Sequence, residues 1–252
     1  MKISIKRLLN ISLATGLLWM SSCKDDDGDS TPATNTSNFC YNYAGSNLNY
    51  DSIQGGNFLT AANNDGFYEV DLGFQFNMCD RSFSTLFIEQ DYLTTTFTYD
   101  LSQGTTDLRK YYIVAHGDLD LESKWDNGSS SYISKIVTTT SGTPGNLSTT
   151  IEFRDFEYYD FSANSAYYTV NYKMIFAEAD NSVSYHYGPN DLTLNFSDDP
   201  FNQFIVGLYS DNEQDGLFLD GNPSSPTTKK NGFRSQLNTW PSANTVYKFT
   251  KK

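Results

Sequence analysis

Apolar and polar residues alternate along the chain from residue 39 onward, and this alternation predicts β-strands. Residues 69–78 are the clearest case, because their apolar side chains fall on one face and their polar residues and one glycine on the other. The apolar face consists of Val70, Leu72, Phe74, Phe76 and Met78. A period of two residues is typical of a strand with one face in a core and one face in water.

The same period predicts a hairpin later in the chain. Residues 169–177 form its first strand, with Val170, Tyr172, Met174 and Phe176 on the core face. Asp180-Asn181 supplies the turn, since both residue types favour turns. The returning strand then places Val183, Tyr185 and Tyr187 toward the core and Ser182, Ser184 and His186 toward water. The pattern therefore predicts a surface position for His186.

Further strands are predicted at 192–196, 204–208 and 245–249. The apolar phase slips between Phe153 and Phe156, which predicts a β-bulge there. No segment keeps a helical period, and aromatic residues make up 15% of the chain. Many short strands separated by turns predict an all-β fold, an antiparallel β-sandwich or jelly-roll-like single domain over residues 39–252.

The N-terminus has a different pattern. Lys2, Lys6 and Arg7 precede an apolar stretch of about 13 residues, which is shorter than the roughly 20 that a membrane-spanning helix needs. Met20-Ser21-Ser22-Cys23 resembles a lipobox, which implies that residues 1–22 are a lipoprotein signal peptide and that Cys23 is lipidated. The alternative is an ordinary secretory signal followed by a chance cysteine.

Lys24, Asp25, Asp26 and Asp27 follow Cys23 directly. They resemble the surface-export signal of Bacteroidota-type lipoproteins, which implies a lipid-anchored outer-membrane protein that faces the cell exterior. A solvated charge run is the alternative. Residues 23–38 lack apolar periodicity, so we expect the lipidated cysteine and a flexible acidic and polar tether there.

The charge balance limits the partners. Loss of Lys2, Lys6 and Arg7 with the signal peptide lowers the formal net charge from −13 to −16. An acidic surface of this kind repels phosphates, so we expect no nucleic-acid partner.

Two short acidic clusters are weak metal candidates, and no cofactor is otherwise expected. His116, Asp118 and Asp120 alternate, so a strand would place them on one face. Asp211, Glu213 and Asp215 precede Gly216 and resemble the start of a calcium loop, although the twelfth position holds Asn222 and not glutamate. In both cases an exposed polar segment is the alternative interpretation.

Two cysteines follow the tether, Cys40 and Cys79. An exported protein permits a disulfide between them, and two separate buried thiols are the alternative. Asp51-Ser52-Ile53 resembles a three-residue O-glycosylation motif of the same bacteria, which makes Ser52 a candidate modification site.

The order of several segments resembles nidogen-like β domains. The matching segments are Phe74–Cys79 with Phe83–Ile88, Asp118–Asp120, Gly142–Asn146 running into Thr150–Phe153, Tyr172–Glu178 with Tyr185–Gly188, and Trp240-Pro241 through Phe249. Gln90-Asp91 and Asn146-Leu147 depart from the usual pattern. The resemblance implies adhesion or extracellular binding and carries over no catalytic residues.

We therefore expect a cell-surface protein that binds a glycan or protein ligand and is not an enzyme. One alternative is an accessory lipoprotein subunit of an outer-membrane transport or secretion complex. A second is a glycan hydrolase, because two carboxylates at the right separation leave no sequence signature.

Overall fold

The computed structural model describes residues 39–59, 66–91, 94–98, 113–116, 121–160, 166–196, 204–209, 216–230 and 236–252. These residues belong to one compact unit, which spans Asn35–Lys252. They form strands and connecting segments, and no helix among them is long and apolar enough to cross a membrane.

Two antiparallel sheets form the domain. The larger sheet has, in spatial order, β1 (Tyr41–Asn47), β17 (Thr245–Lys251), β13 (Ser182–Tyr187), β12 (Ala166–Ala177), β11 (Ser148–Asp160), β10 (Lys135–Ser141) and β2 (Asn57–Leu59), with β7 (Leu121–Ser123) also paired to β11. The second sheet has β16 (Thr227–Lys229), β15 (Gly216–Asp220), β14 (Val206–Tyr209), β6 (Ile113–His116), β5 (Thr94–Thr98), β4 (Arg81–Asp91) and β3 (Gly66–Met78). β8 (Trp125–Asp126) and β9 (Ser131–Tyr132) form a small separate hairpin.

The core lies between the two sheets and is rich in aromatic rings. Phe76 of β3 packs edge-on against Phe176 of β12, with ring centroids 5.5 Å apart. Thr149 of β11 donates a hydrogen bond to the carbonyl of Leu72 in β3 over 2.6 Å, which joins the sheets inside the core. The predicted all-β sandwich is confirmed.

Most of the predicted strand patterns are confirmed. The predicted core faces of β3 and β12 are buried, and the register of β11 against β12 shifts between Phe153 and Phe156 as the phase slip predicted. The prediction of a strand at 192–196 is wrong. Leu192 and Phe196 are buried, but the backbone there makes only an isolated bridge from Asn195 to Thr239. The alternation at 192–196 therefore predicted the burial of these side chains correctly, but the segment does not pair as a strand of a sheet.

A connecting segment, residues 48–56, crosses the outer face of the larger sheet; we call it the strap. It leaves β1 at one edge and enters β2 at the other edge. Six strand spacings of about 4.8 Å separate these edges, and the chain from residue 47 to 57 can span at most about 33–36 Å. The strap is therefore nearly extended, and it covers a face that alternation predicted to be wet.

Candidate binding site

A groove of about 600 Å³ lies at one end of the sandwich. Three loops supply its walls: the segment after β13, the turn after β15 and the segment before β17. The lining residues are Pro189, Asn190, Leu192, Pro223, Ser224, Thr239, Trp240, Ser242 and Ala243. The volume falls in the range of small-ligand sites.

The floor of the groove is fixed by the aromatic core. Trp240 is 4% exposed and stacks on Phe204, with ring centroids 4.9 Å apart, and meets Tyr187 edge-on at 5.5 Å. Each of these contacts belongs to the main core, so the floor cannot move without disturbing the sandwich. The groove is therefore a preformed surface.

Hydrogen bonds from side chains to backbone carbonyls hold the loops in place. Asn190 donates from its amide to the carbonyl of Pro241 over 3.3 Å, and the phenol of Tyr247 donates to the carbonyl of Pro223 over 2.5 Å. Asn171 donates to the carbonyl of Pro189 over 2.8 Å. The bonds from Asn171 and Tyr247 tie two of the loops to strands of the larger sheet, and the bond from Asn190 ties the third loop to the first.

The lining of the groove is electrically neutral. None of its nine residues has an ionisable side chain. The available groups are hydroxyls, one amide and the apolar surface of Leu192, Trp240 and the two prolines. Such a surface can bind by hydrogen bonds and apolar contact, and none of its own side chains is an ionisable acid or base.

A polar network lies under the strap. Glu152 of β11 is 0% exposed, although its side chain points away from the core formed by its neighbours Ile151 and Phe153. Its carboxylate accepts hydrogen bonds from the Tyr50 phenol (3.0 Å) and the Ile53 backbone N–H (2.8 Å).

Two basic side chains complete the network. Arg154 forms a salt bridge of 2.6 Å with Glu152 and also donates to the carbonyl of Ile53. Lys173 of β12 donates to the carbonyl of Asp51 over 2.7 Å and lies 4.8 Å from the centre of the Tyr50 ring. Because Glu152, Arg154 and Lys173 each bond to the strap, this cluster holds the strap in place.

The prediction that Ser182, Ser184 and His186 face water is wrong. Ser182 is 3% and Ser184 is 8% exposed, and His186 is only partly exposed. Burial, with repulsion from Lys173 as a smaller cause, lowers the pKa of His186 to about 4. Its Nε2 lies 3.2 Å from the hydroxyl of Ser184. The alternation correctly placed these three side chains on the face opposite the core. It could not show that other parts of the chain bury that face.

Cys40 and Cys79 form a disulfide, which is one of the two alternatives that the sequence left open. Their Cα atoms lie 5.4 Å apart. Cys40 precedes β1 and Cys79 begins the turn between β3 and β4, so the bond joins the two sheets. It lies at the opposite end of β1 from the groove, because Leu48, just after β1, bonds to Asn244 beside the groove loop.

The metal candidates are largely outside the described residues. The residues outside the described part of the chain are Asp118, Asp120, Asp211, Glu213 and Asp215. Of His116, only the backbone position in β6 is described. Within the described part of the chain no group of three His, Cys, Asp or Glu side chains is arranged to hold a metal ion. Cys23 and the four residues after it also lie outside.

The candidate modification site Ser52 lies on the strap and is exposed. Hydrogen bonds fix the residues on either side of it to the sheet. The carbonyl of Asp51 accepts a bond from Lys173, and the N–H of Ile53 donates one to Glu152. Tyr158 of β11 is 1% exposed in the core, so its ring offers no surface to a ligand.

Sequence reasoning did not identify the groove or the strap network. Groove residues are spread over three loops between residues 189 and 243, and no local pattern connects them. Glu152 and Arg154 did leave a signal, since opposite charges two residues apart on a strand share one face. That signal was obscured because charged residues on a wet face are common.

The chain was compared with known proteins. The family described as NIDO related matches residues 40–251, which is nearly the whole described domain. No curated protein and no solved structure matches the chain. The family match covers the strands of both sheets, the disulfide and the groove loops, and the chain therefore belongs to the NIDO-related family.

Proposed function

We propose that this protein is lipid-anchored at Cys23 on the outer membrane, faces the cell exterior and binds an extracellular glycan or protein through the groove. The neutral lining of the groove is the observation that carries the proposal. A preformed concave surface with hydroxyl, amide and apolar groups suits binding without chemistry.

The charge of the chain limits the class of ligand that the groove could bind. A chain with a net charge of −13 repels anions, while the groove itself offers no basic group to offset that repulsion. An anionic ligand is therefore disfavoured, and a neutral glycan or an uncharged stretch of protein fits the neutral lining. Leu192 and Trp240 supply the apolar floor, and Asn190, Ser224, Thr239 and Ser242 supply hydrogen-bonding groups around it.

The position of the groove fits a surface role. The groove and Cys40 lie at opposite ends of β1, roughly 25 Å apart at about 3.3 Å per residue. The N-terminal segment therefore joins the described domain at Phe39, at the end of the sandwich opposite the groove.

The groove gives no support to a glycan hydrolase. Glycoside hydrolysis needs two carboxyl groups roughly 5–10 Å apart across the scissile bond. None of the groove residues has a carboxyl group. The buried carboxylate of Glu152 is paired with Arg154 beneath the strap, where a sugar cannot reach it.

A mild-detergent purification of the tagged full-length protein from its own outer membrane tests the proposal against the accessory-subunit alternative. A binder that acts on its own purifies without a stoichiometric membrane partner, and it then binds members of a panel of neutral glycans and extracellular proteins. A single membrane protein in equal amount would instead make the chain a subunit of a complex.

A further inference from the structure

The outer edge of β1 presents unpaired backbone groups. Among the strands that the structure describes, β1 is the last of the larger sheet and pairs with β17 alone. The Lys252 N–H donates to the carbonyl of Cys40, and the Leu48 N–H donates to the carbonyl of Asn244, so the even-numbered residues bond to β17. The N–H and C=O groups of Tyr41, Tyr43, Gly45 and Asn47 therefore point away from the sheet, and no described residue bonds to them.

The other three edges of the two large sheets, as far as the described residues show them, are protected. β2 and β16 have only three residues each, and short edge strands offer little to a partner. β3 is long but carries Glu69 and Asp71, has a register shift between Asp71 and Phe76, and is bonded by Thr149 and by Asn181.

β1 has none of these protections. Its sequence, YNYAGSN, contains no charge and no proline, and its seven-residue register with β17 has no shift. Ala44, Gly45, Ser46 and Asn47 are all exposed. An uncharged, regular and exposed edge is a template for strand addition.

The sequence of β1 complements itself. If two copies pair antiparallel with Ala44 opposite Ala44, the outward residues pair as Tyr41 with Asn47 and Tyr43 with Gly45, each twice. Each of these four pairs exchanges two hydrogen bonds, so every outward N–H and C=O is used. A shift of the centre to residue 43 or 45 leaves part of the edge unpaired.

The side chains also fit this register. Each Tyr43 ring lies over Gly45 of its own chain, where a Cβ would come within 2.7 Å of the phenol oxygen, so the ring needs no space on the second copy. The two Ala44 side chains meet on the outer face, where a small residue permits close approach. The nearest charged side chains are on β17, and equivalent ones on the two copies are about 14 Å apart across three strand spacings, beyond the screening length of about 8 Å.

We propose that β1 is a self-association surface, on which two copies of this chain join their larger sheets into one continuous sheet about a two-fold axis through Ala44. This inference is independent of the groove and its ligand. The antiparallel pairing places the two grooves at opposite ends of the joined sheet.

Cysteine cross-linking of the full-length protein in its membrane tests the proposal. Ala44→Cys places two thiols at a non-hydrogen-bonded pair, with Cα atoms about 4.5 Å apart, which is within disulfide range. Ser46→Cys is the matched control, since it is exposed on the same face but lies about 13 Å from its copy in this register. After mild oxidation, we expect at least tenfold more disulfide-linked dimer from Ala44→Cys.

Equal cross-linking of the two variants, or none, would overturn the proposal. Sedimentation velocity of the purified mature chain provides a second measurement that needs no new thiol. Ala44→Glu should raise the dimer dissociation constant at least tenfold, because it places two like charges side by side. Ser141→Glu adds the same charge on β10 and should leave the constant unchanged. A wild-type chain that stays monomeric at every concentration would also contradict the proposal.

Discussion

The phenol of Tyr50 donates a hydrogen bond of 3.0 Å to the carboxylate of Glu152, which lies 102 residues later in the chain. Tyr50 belongs to the strap and Glu152 to the middle of the larger sheet. Burial and the nearby carboxylate raise the pKa of Tyr50 well above its ordinary value, so the phenol remains a donor at every physiological pH. The bond thus fixes the strap to the sheet.

Removal of the Glu152 carboxylate should destabilise the domain strongly. Glu152→Ala leaves Arg154 and Tyr50 without their shared partner, and loss of one member of a buried ion pair costs about 3–5 kcal/mol. Tyr50→Phe removes one bond to a charged group and should cost about 1.5–3 kcal/mol.

Urea unfolding measures the free energies of unfolding of both variants. Glu69→Gln is the control, because Glu69 is exposed and its change should stay within about 0.5 kcal/mol. Equal effects of Glu152→Ala and Glu69→Gln would contradict the network.

His186 should make the stability of the domain depend on pH. Its pKa is about 4 in the folded chain and near 6.5 when the chain unfolds, so the unfolded state binds more protons between these values. The stability contributed by the neutral imidazole is therefore fully present above pH 6.5 and is lost as pH falls toward 4.

His186→Gln should remove that dependence. The difference in unfolding free energy between pH 7 and pH 4.5 should shrink by on the order of 2 kcal/mol relative to wild type. Chemical denaturation at the two pH values measures it. An unchanged difference would mean that His186 titrates normally and is not held neutral on this face.

The disulfide should contribute substantially to stability. Closing a loop with a sequence separation of 39 residues stabilises by about 4 kcal/mol on the chain-entropy model. The double variant Cys40→Ser with Cys79→Ser should therefore unfold at lower urea concentration, and wild type treated with a reductant should match it. A reduced wild type that keeps its full stability would show that the bond adds little.

The anchor can be tested separately from the domain. Cys23→Ala should release the protein from the membrane fraction, because no acyl chains can then be attached. Replacement of Asp25, Asp26 and Asp27 by alanine should leave it membrane-bound but inaccessible to protease added to intact cells. Retention of the Cys23→Ala chain on the membrane would contradict lipid anchoring.

The sequence predicted the elements whose signal is local. The core faces of β3 and β12 follow from a two-residue period, and the slip at Phe153 marks the bulge. A strand's own alternation cannot show what lies over its second face, so the strap over Glu152 and Lys173 was missed. Alternation at 192–196 likewise reported buried Leu192 and Phe196 without a neighbouring strand. The groove is formed by three loops that are separate in sequence, so it could be identified only from the folded structure.

Ligand binding by matched groove variants tests the central claim most directly. Ser224 lines the groove and Ser225 does not, yet both are exposed in the same turn. The mature chain, Ser224→Trp and Ser225→Trp should be compared on one panel of immobilised neutral glycans and extracellular proteins. We expect a ligand that wild type and Ser225→Trp bind alike and that Ser224→Trp binds at least tenfold more weakly. A ligand bound equally by all three proteins, or no binding by wild type to any member of the panel, would contradict a binding role for the groove.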